Sequence, residues 1–409
     1  MSNERRRPEG FIPELDGYRV LLIFIVSWYH IWQQSWLTPY AGRLSLDFLV
    51  RSGYMHVDGT ILLSAFLLFL PWARAMDRHE PSPDAVSFYR RRFARVYPSY
   101  LFILLAVFFG VALPWGLYTS PQNLAMDLAT HLTFTFNFFP FTYQATPLGA
   151  ACWTLAVEVQ AYLLFPAVAR GVRRHPAATL GALCLAGWGY RAWCVWALPD
   201  YTMVLNQLPA FLDVYALGIL LSMAHVRLEK RRSDGAAPLW EQLLATGLAA
   251  AGIWLLVLLL KRQAASSSYT MLQEGQLVRR LPLALIYGLL ILSLPRMLKP
   301  LRLLFGNRLM SWLARLSMNY YLIHQTVAVH LKRIGFPPSQ SAVPNQAGER
   351  PWQWRYTLLT FGLSLLLAAL TTRFVEKPCA RWLARRFKLD DDRQAAREWA
   401  AHWPGRAGS

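Results

Sequence analysis

The chain has 409 residues, 55% of them hydrophobic and 14% aromatic, with only 16% charged. A soluble globular protein carries about 25% charged residues, so this composition excludes a pair of ordinary soluble domains and describes an all-α, polytopic membrane protein. The formal charge of +19 does not require nucleic acid as a partner: with the N-terminus inside, 28 of the 42 Lys+Arg fall on cytoplasmic segments, 10 on outer ones and four within spans. That asymmetry is the positive-inside rule.

Hydropathy predicts a transmembrane helix bundle of about ten spans with both termini cytoplasmic. The spans lie near residues 19–37, 55–72, 98–115, 151–169, 176–198, 203–225, 238–260, 281–295, 310–331 and 356–375. The first apolar run follows Arg5-Arg6-Arg7, but it contains His30 and Gln33 and ends in Trp36 without a small-residue cleavage site. It reads as a retained helix, not a signal peptide. The loop from Arg74 to Arg95 holds Pro81, Pro83 and the cluster Arg90-Arg91-Arg92-Phe93-Ala94-Arg95. The outer loop 116–150 has no Lys or Arg, is rich in Phe, Thr and Pro, and is long enough to fold back into the membrane as a re-entrant or interfacial segment. Lys230 to Gly235 marks a cytoplasmic hinge, and 332–355 is a long outer loop. Residues 1–382 are expected to form the transmembrane domain and 383–409 a basic cytoplasmic tail, with no extracytoplasmic domain. Cys152, Cys184, Cys194 and Cys379 lack ligand-like spacing and read as buried small hydrophobes. No Gly-rich nucleotide loop, metal-ligand set or Gly-x-Ser-x-Gly elbow is present.

The chemistry lies in the ionisable residues inside spans. Arg19 and His30 stand at the two ends of one helical run. Eleven residues of helix rise about 16 Å, half of a hydrocarbon core, so a cation at the membrane edge shares a helix with an imidazole near the midplane. Glu158, Asp213 and His324 fall at similar depth on three other spans, in the middle or outer half of the membrane. Such groups need one another or a water-filled cavity. A lone histidine in an apolar helix is more often a packing group, but a histidine with a carboxylate orienter is the usual equipment for general-base work on a hydroxyl. His30, Glu158, His324 and Asp213 are therefore the predicted catalytic set, with Glu158 or Asp213 holding His30. Arg92 and Arg95, three apart, share a helix face at the surface where Arg19 lies. Guanidinium forks suit phosphate, so Arg19, Arg92 and Arg95 are predicted to bind a phosphorylated donor; a basic anchor on anionic lipid is the plainer use of that charge. Buried His and carboxylates also build proton relays, which keeps a proton-coupled transporter as the rival class, although no matched, broken repeats are visible.

At these residues the chain resembles the acyltransferase-3 family of integral membrane acyltransferases. Leu15-Asp16-Gly17-Tyr18-Arg19 is similar to the family's opening motif, and Arg19 with His30 to its arginine–histidine pair. Val57-Asp58 with Leu63-Ser64-Ala65-Phe66, then Arg92-Phe93-Ala94-Arg95-Val96-Tyr97-Pro98, then Trp153 to Glu158 with Tyr162 to Pro166, resemble the following ones. Tyr321-Leu322-Ile323-His324 and Glu376-Lys377-Pro378 close the series. Each motif is short, but six in order over Phe11 to Trp382 are specific. The chain departs at Ala65, where the family has Gly, at Thr60-Ile61 in place of a Phe pair, and at Thr154 and Ala156 in place of Ser. The ionisable set is intact. The resemblance implies a multi-pass enzyme of the bacterial cytoplasmic membrane that moves an acyl group, by default acetyl, from cytoplasmic acyl-CoA to a sugar hydroxyl of an exported or surface glycan or a glycoside. It implies no permanently bound cofactor, a catalytic His30, donor-binding Arg19, Arg92 and Arg95, and essential Glu158 and His324. Trp32, Trp36, Phe134, Phe136, Phe138, Trp153, Trp352 and Trp354 would stack on sugar rings or form an interfacial aromatic belt, the belt being the commoner use.

Overall fold

The computed structural model describes residues 11–230 and 237–387. Arg5-Arg6-Arg7, residues 231–235 of the hinge and the tail beyond Phe387 lie outside the described residues. Ten helices of 19 residues or more stand at the ten predicted places. They are α1 (Pro13–Ser35), α2 (His56–Asp77), α3 (Ala85–Val107), α4 (Trp153–Arg174) and α5 (Pro176–Ala197). α6 (Leu212–Lys230), α7 (Leu239–Ala264), α8 (Tyr269–Ser293), α9 (Arg308–Arg333) and α10 (Arg350–Thr371) complete the set. Among the described residues, seven helices are long and apolar enough to cross a membrane on their own. α1, α5 and α9 fall short of that measure: α1 carries Asp16, Arg19 and His30, α9 carries Arg315, Asn319 and His324, and α5 carries Arg191 among weakly apolar Gly, Ala and Trp residues. The only strand pairing among the described residues joins Tyr40–Ala41 to Leu44–Ser45. The molecule is an all-α, multi-pass helix bundle.

Local chemistry sets the helix starts. α1 opens on Pro13, whose missing N–H is an orphan there anyway, with Glu14 and Asp16 in the first turn complementing the helix dipole. The Asp84 carboxylate accepts from the Ser87 N–H at 2.7 Å and starts α3 thirteen residues before the predicted span. The arginine cluster is therefore helical. Backbone hydrogen bonding also holds the Asp84 carboxyl below the usual carboxylate range. Ser268 caps α8 through the Met271 N–H at 3.2 Å, twelve residues ahead of the predicted start. Arg280, expected in a loop, is thus a helical residue.

Small residues let the helices close. A Cβ on Gly218 of α6 would stand 2.6 Å from the Ala65 Cβ of α2 and 2.9 Å from the Leu62 carbonyl oxygen. The glycine lacking from α2 at Ala65 is thus balanced by one on the facing helix. Gly17 fits under the Phe305 carbonyl, 2.4 Å from where its Cβ would be. α1 and α9 are tied by a 2.7 Å hydrogen bond between the Ser27 and Tyr320 hydroxyls and by Phe24 stacked on Tyr320 at 4.6 Å.

The segment between α3 and α4 folds onto the bundle through short helices at Pro121–Leu132 and Pro140–Gln144. The Tyr100 hydroxyl donates to the His131 carbonyl at 2.9 Å, and Phe134 stacks on Tyr100 at 4.5 Å. Its end is drawn in against α9. The Tyr321 hydroxyl donates to the Ala151 carbonyl and accepts from Thr154 Oγ1, both at 2.7 Å, and the Ala151 N–H donates to Gln325 Oε1 at 2.6 Å. α4 consequently begins level with Tyr321 and not at the end of the bundle. Cys152 and Cys194 are buried, Cys184 and Cys379 half-buried, and none is in a disulfide.

Candidate functional site

The predicted site residues separate into two tiers along α1. The first tier holds the imidazoles. The rings of His30 and His324 lie 5.3 Å apart between centroids. Gln33 Oε1, which can only accept, takes the His30 Nδ1 proton at 3.0 Å, while the Gln33 amide nitrogen donates to the Tyr29 hydroxyl at 3.0 Å. The Nε2 of His30 thereby keeps a free lone pair. His324, fully buried, donates from Nδ1 to the Tyr321 carbonyl at 2.7 Å, and its Nε2 has no hydrogen-bond partner. Both imidazoles thus keep an Nε2 without a protein partner for its lone pair.

A cavity of about 480 Å³ opens beside them. Its wall includes His30, Gln33, Tyr54, Trp153, Tyr269 and Tyr321, together with Asp58 and Arg280. Arg280 reaches Asp58 at 3.3 Å, donates to the Leu205 and Ala210 carbonyls at 3.0 and 3.2 Å, and lies 4.0 Å over the Phe211 ring. Aromatic faces, amides and one buried ion pair make a surface suited to a neutral polyhydroxylated ring. Asp200, in the loop at the mouth, is held below the usual carboxylate range by the Thr202 N–H and hydroxyl. Trp153 is the one of the eight singled-out aromatics that lines the cavity. Trp36, Phe138 and Trp354 are exposed, as a belt requires, whereas Phe134, Phe136 and Trp352 are core.

The second tier holds Arg19, Arg92, Arg95 and Glu158. Arg19 feels the charges of Arg95, Asp16 and Glu158; Arg92 those of Arg95 and Glu158. The Arg92 guanidinium lies 5.4 Å from the Tyr162 ring and 5.5 Å from the Phe88 ring. Glu158 accepts from the Ser64 hydroxyl at 2.7 Å and the Tyr162 hydroxyl at 2.5 Å.

Two expectations are corrected here. Glu158 does not orient His30: because α4 starts level with Tyr321, five residues further along it carry Glu158 down to the arginines. Asp213 does not orient it either. It is bound to Arg191 through both oxygens, at 2.8 and 2.6 Å, and accepts from the Trp188 indole at 3.0 Å. Both members of that pair are more than nine-tenths buried, and neither lines the cavity. The neutral amide of Gln33 takes the orienting place. Sequence reasoning missed Gln33, although its spacing from His30 by three residues was legible; it missed Asp58 and Arg191, although a charged residue in a span is itself a signal, and Arg280, which the predicted span left in a loop. It also missed the fully buried Asp127–His131 pair, 3.1 Å apart, which braces the segment before α4.

The molecule is thus a multi-pass bundle with an arginine tier on α1 and α3 and a paired-imidazole tier on α1 and α9. The acyltransferase domain of the acyltransferase-3 type matches residues 12–373, and the chain belongs to that family. It is 30% identical over 203 residues to the acyltransferase MdmB of Streptomyces mycarofaciens, a match covering 49% of this chain and 48% of that protein. It is 28% identical over 177 residues to the O-acetyltransferase OatA of Staphylococcus aureus, covering 40% of this chain and 26% of that one. The peptidoglycan O-acetyltransferase OatA of Listeria monocytogenes is 26% identical over 180 residues, 41% of this chain and 25% of that one. The matches thus span about half the length of the first relative and about a quarter of the other two. No solved structure matches significantly.

Proposed function

We propose that this protein is an O-acyltransferase of the bacterial cytoplasmic membrane, with ten spans, both termini cytoplasmic and its arginine tier at the cytoplasmic face. Acyl-CoA, most simply acetyl-CoA, docks its phosphates on Arg19, Arg92 and Arg95. Its pantetheine arm runs along α1 and α9 and delivers the thioester to the imidazole tier. The acceptor, a sugar of an exported or surface glycan or a glycoside, enters the cavity from the outer side. His30 Nε2 takes the proton of the acceptor hydroxyl as the oxygen attacks the thioester carbonyl. The new C–O bond forms, the C–S bond breaks, and the coenzyme A thiolate recovers the proton from His30. His324 offers its lone pair to the same proton. The donor is a substrate, and the mechanism calls on no resident cofactor.

One observation carries this reading. α1 presents Arg19, gathered with Arg92 and Arg95 of α3, at one level and an oriented imidazole, open to a sugar-like cavity, about 16 Å further along. The names of the matched relatives agree with acyl transfer. A proton-coupled transporter would have placed the carboxylates with the histidines as a relay, and Glu158 and Asp213 lie elsewhere. Purified protein with labelled acetyl-CoA and an envelope-glycan extract tests the proposal. Label entering glycan with wild type but not with His30→Ala is the expected result. Equal transfer by both proteins rejects the role of His30, and proton-dependent solute uptake without acylated product rejects the activity.

A further inference from the structure

Arg315 did not figure among the predicted site residues, yet it stands with them. α1 and α9 run side by side with matched rungs. His30 meets His324, Ser27 meets Tyr320, and Ile23 packs in one apolar cluster with Leu316 and Tyr320. Lower on the same pair, Asp16 of α1 lies close to Ser311 and in the field of Arg19, Arg95 and Arg315. Arg19 is three residues beyond Asp16 and Arg315 four beyond Ser311, so both guanidinium groups turn to the face where the two helices meet. Arg315 precedes His324 by nine residues and Arg19 precedes His30 by eleven, rises of about 13 and 16 Å. Each helix of the pair thus carries a guanidinium below and an imidazole above. Arg315 is half-buried, whereas Leu309 and Trp312 of the same helix are exposed. It lies within electrostatic reach of Asp16 on α1.

Among the described residues, Arg19, Arg92, Arg95 and Arg315 make no ion pair or hydrogen bond to a carboxylate. Asp16, Glu158 and Glu376 are the anions in their midst; Glu158 accepts from the Ser64 and Tyr162 hydroxyls, and Glu376 from the Asn319 amide and the Thr372 hydroxyl. Three helices therefore bring together guanidinium groups whose forks are open, and a surplus of positive charge that a ligand must balance.

We propose that Arg315 is a fourth donor-binding residue, placed near Arg19 by the side-by-side packing of α1 and α9, and that it takes a phosphate of the nucleotide part of the acyl donor. The proposal rests on the acyl-transfer reading and deepens it by requiring a donor with several phosphates. A diphosphate and a separate phosphomonoester, as coenzyme A carries, give enough anionic oxygens for four forks.

The test uses two donors, acetyl-CoA and acetyl-pantetheine, which keeps the reacting end and lacks every phosphate. Arg315→Ala is expected to raise KM for acetyl-CoA about tenfold, the factor for one charge-assisted hydrogen bond, with kcat kept and KM for acetyl-pantetheine unmoved. Arg315→Lys should recover part of the loss. A KM shift of equal size for both donors, or none for either, overturns the assignment, since a merely structural role would not distinguish them. Equilibrium binding of coenzyme A separates this from failure of the acyl-transfer reading. Wild type that binds coenzyme A without turnover, and Arg315→Ala that binds it about tenfold more weakly, would sustain Arg315 while rejecting the reaction; equal binding would reject Arg315.

Discussion

Gln33 offers the sharpest test of how His30 is held. Its Oε1 accepts the His30 Nδ1 proton at 3.0 Å, and no carboxylate does so among the described residues. A neutral hydrogen bond contributes about 0.5–1.5 kcal/mol net, and 1.36 kcal/mol is tenfold in rate, so Gln33→Leu should lower kcat roughly two- to tenfold. The fall arises because the imidazole can then turn or move its proton to Nε2, where it ceases to be a base. Tyr29→Phe is the control: it removes the partner of the Gln33 amide nitrogen and leaves the bond to His30 in place, so kcat should change less than in Gln33→Leu. Initial rates of label transfer at saturating donor, over a range of acceptor concentrations, separate kcat from KM. Wild-type kcat in Gln33→Leu would refute the reasoning and return the orienting role to a group outside this geometry.

Asp213→Ala leaves the Arg191 guanidinium buried without its carboxylate, and should destabilise the bundle by about 3–5 kcal/mol, read as a lower thermal midpoint in detergent. Replacing both residues with leucine should restore much of that loss, and failure to do so would argue for a role beyond the pair. Gly218→Ala should cost about 1–3 kcal/mol through overpacking against Ala65. Adding Ala65→Gly should recover only part of it, because the Leu62 carbonyl remains 2.9 Å away, and full recovery would contradict the close backbone approach. In a background without native cysteines, Ser267→Cys should react with a membrane-impermeant maleimide from outside intact cells and Glu80→Cys only after permeabilisation; the reverse pattern would invert the topology.

The long elements were legible because apolar length is a local property: all ten helices stand where hydropathy placed them. Their starts were less so. Caps at Asp84 and Ser268 extend α3 and α8 by about three turns beyond the apolar windows, and the second extension moves Arg280 from a supposed loop to the cavity wall. Depth misled most at Glu158. Counting residues from the end of a span assumes that the span begins at the membrane surface, and Ala151 and Thr154 are instead drawn in to Tyr321. The pairing of His30 with His324 and the gathering of Arg19, Arg92 and Arg95 followed from the right side chains on the right helices. The identity of the orienting group did not, because a general expectation of a carboxylate outweighed a glutamine one turn away. Asp213 was singled out for being ionisable in a span, and Arg191, equally ionisable in the neighbouring span, is the partner that explains it.

In the proposed reaction, donor and acceptor approach His30 from opposite ends of the bundle. Proteoliposomes of known orientation, given acetyl-CoA on one face and acceptor glycan on the other, test it most directly. Transfer is expected only when acetyl-CoA is supplied at the face that carries Arg19, Arg92 and Arg95, and it should vanish in His30→Ala. Transfer at equal rate with donor on the opposite face, or transfer that survives His30→Ala, would contradict the account.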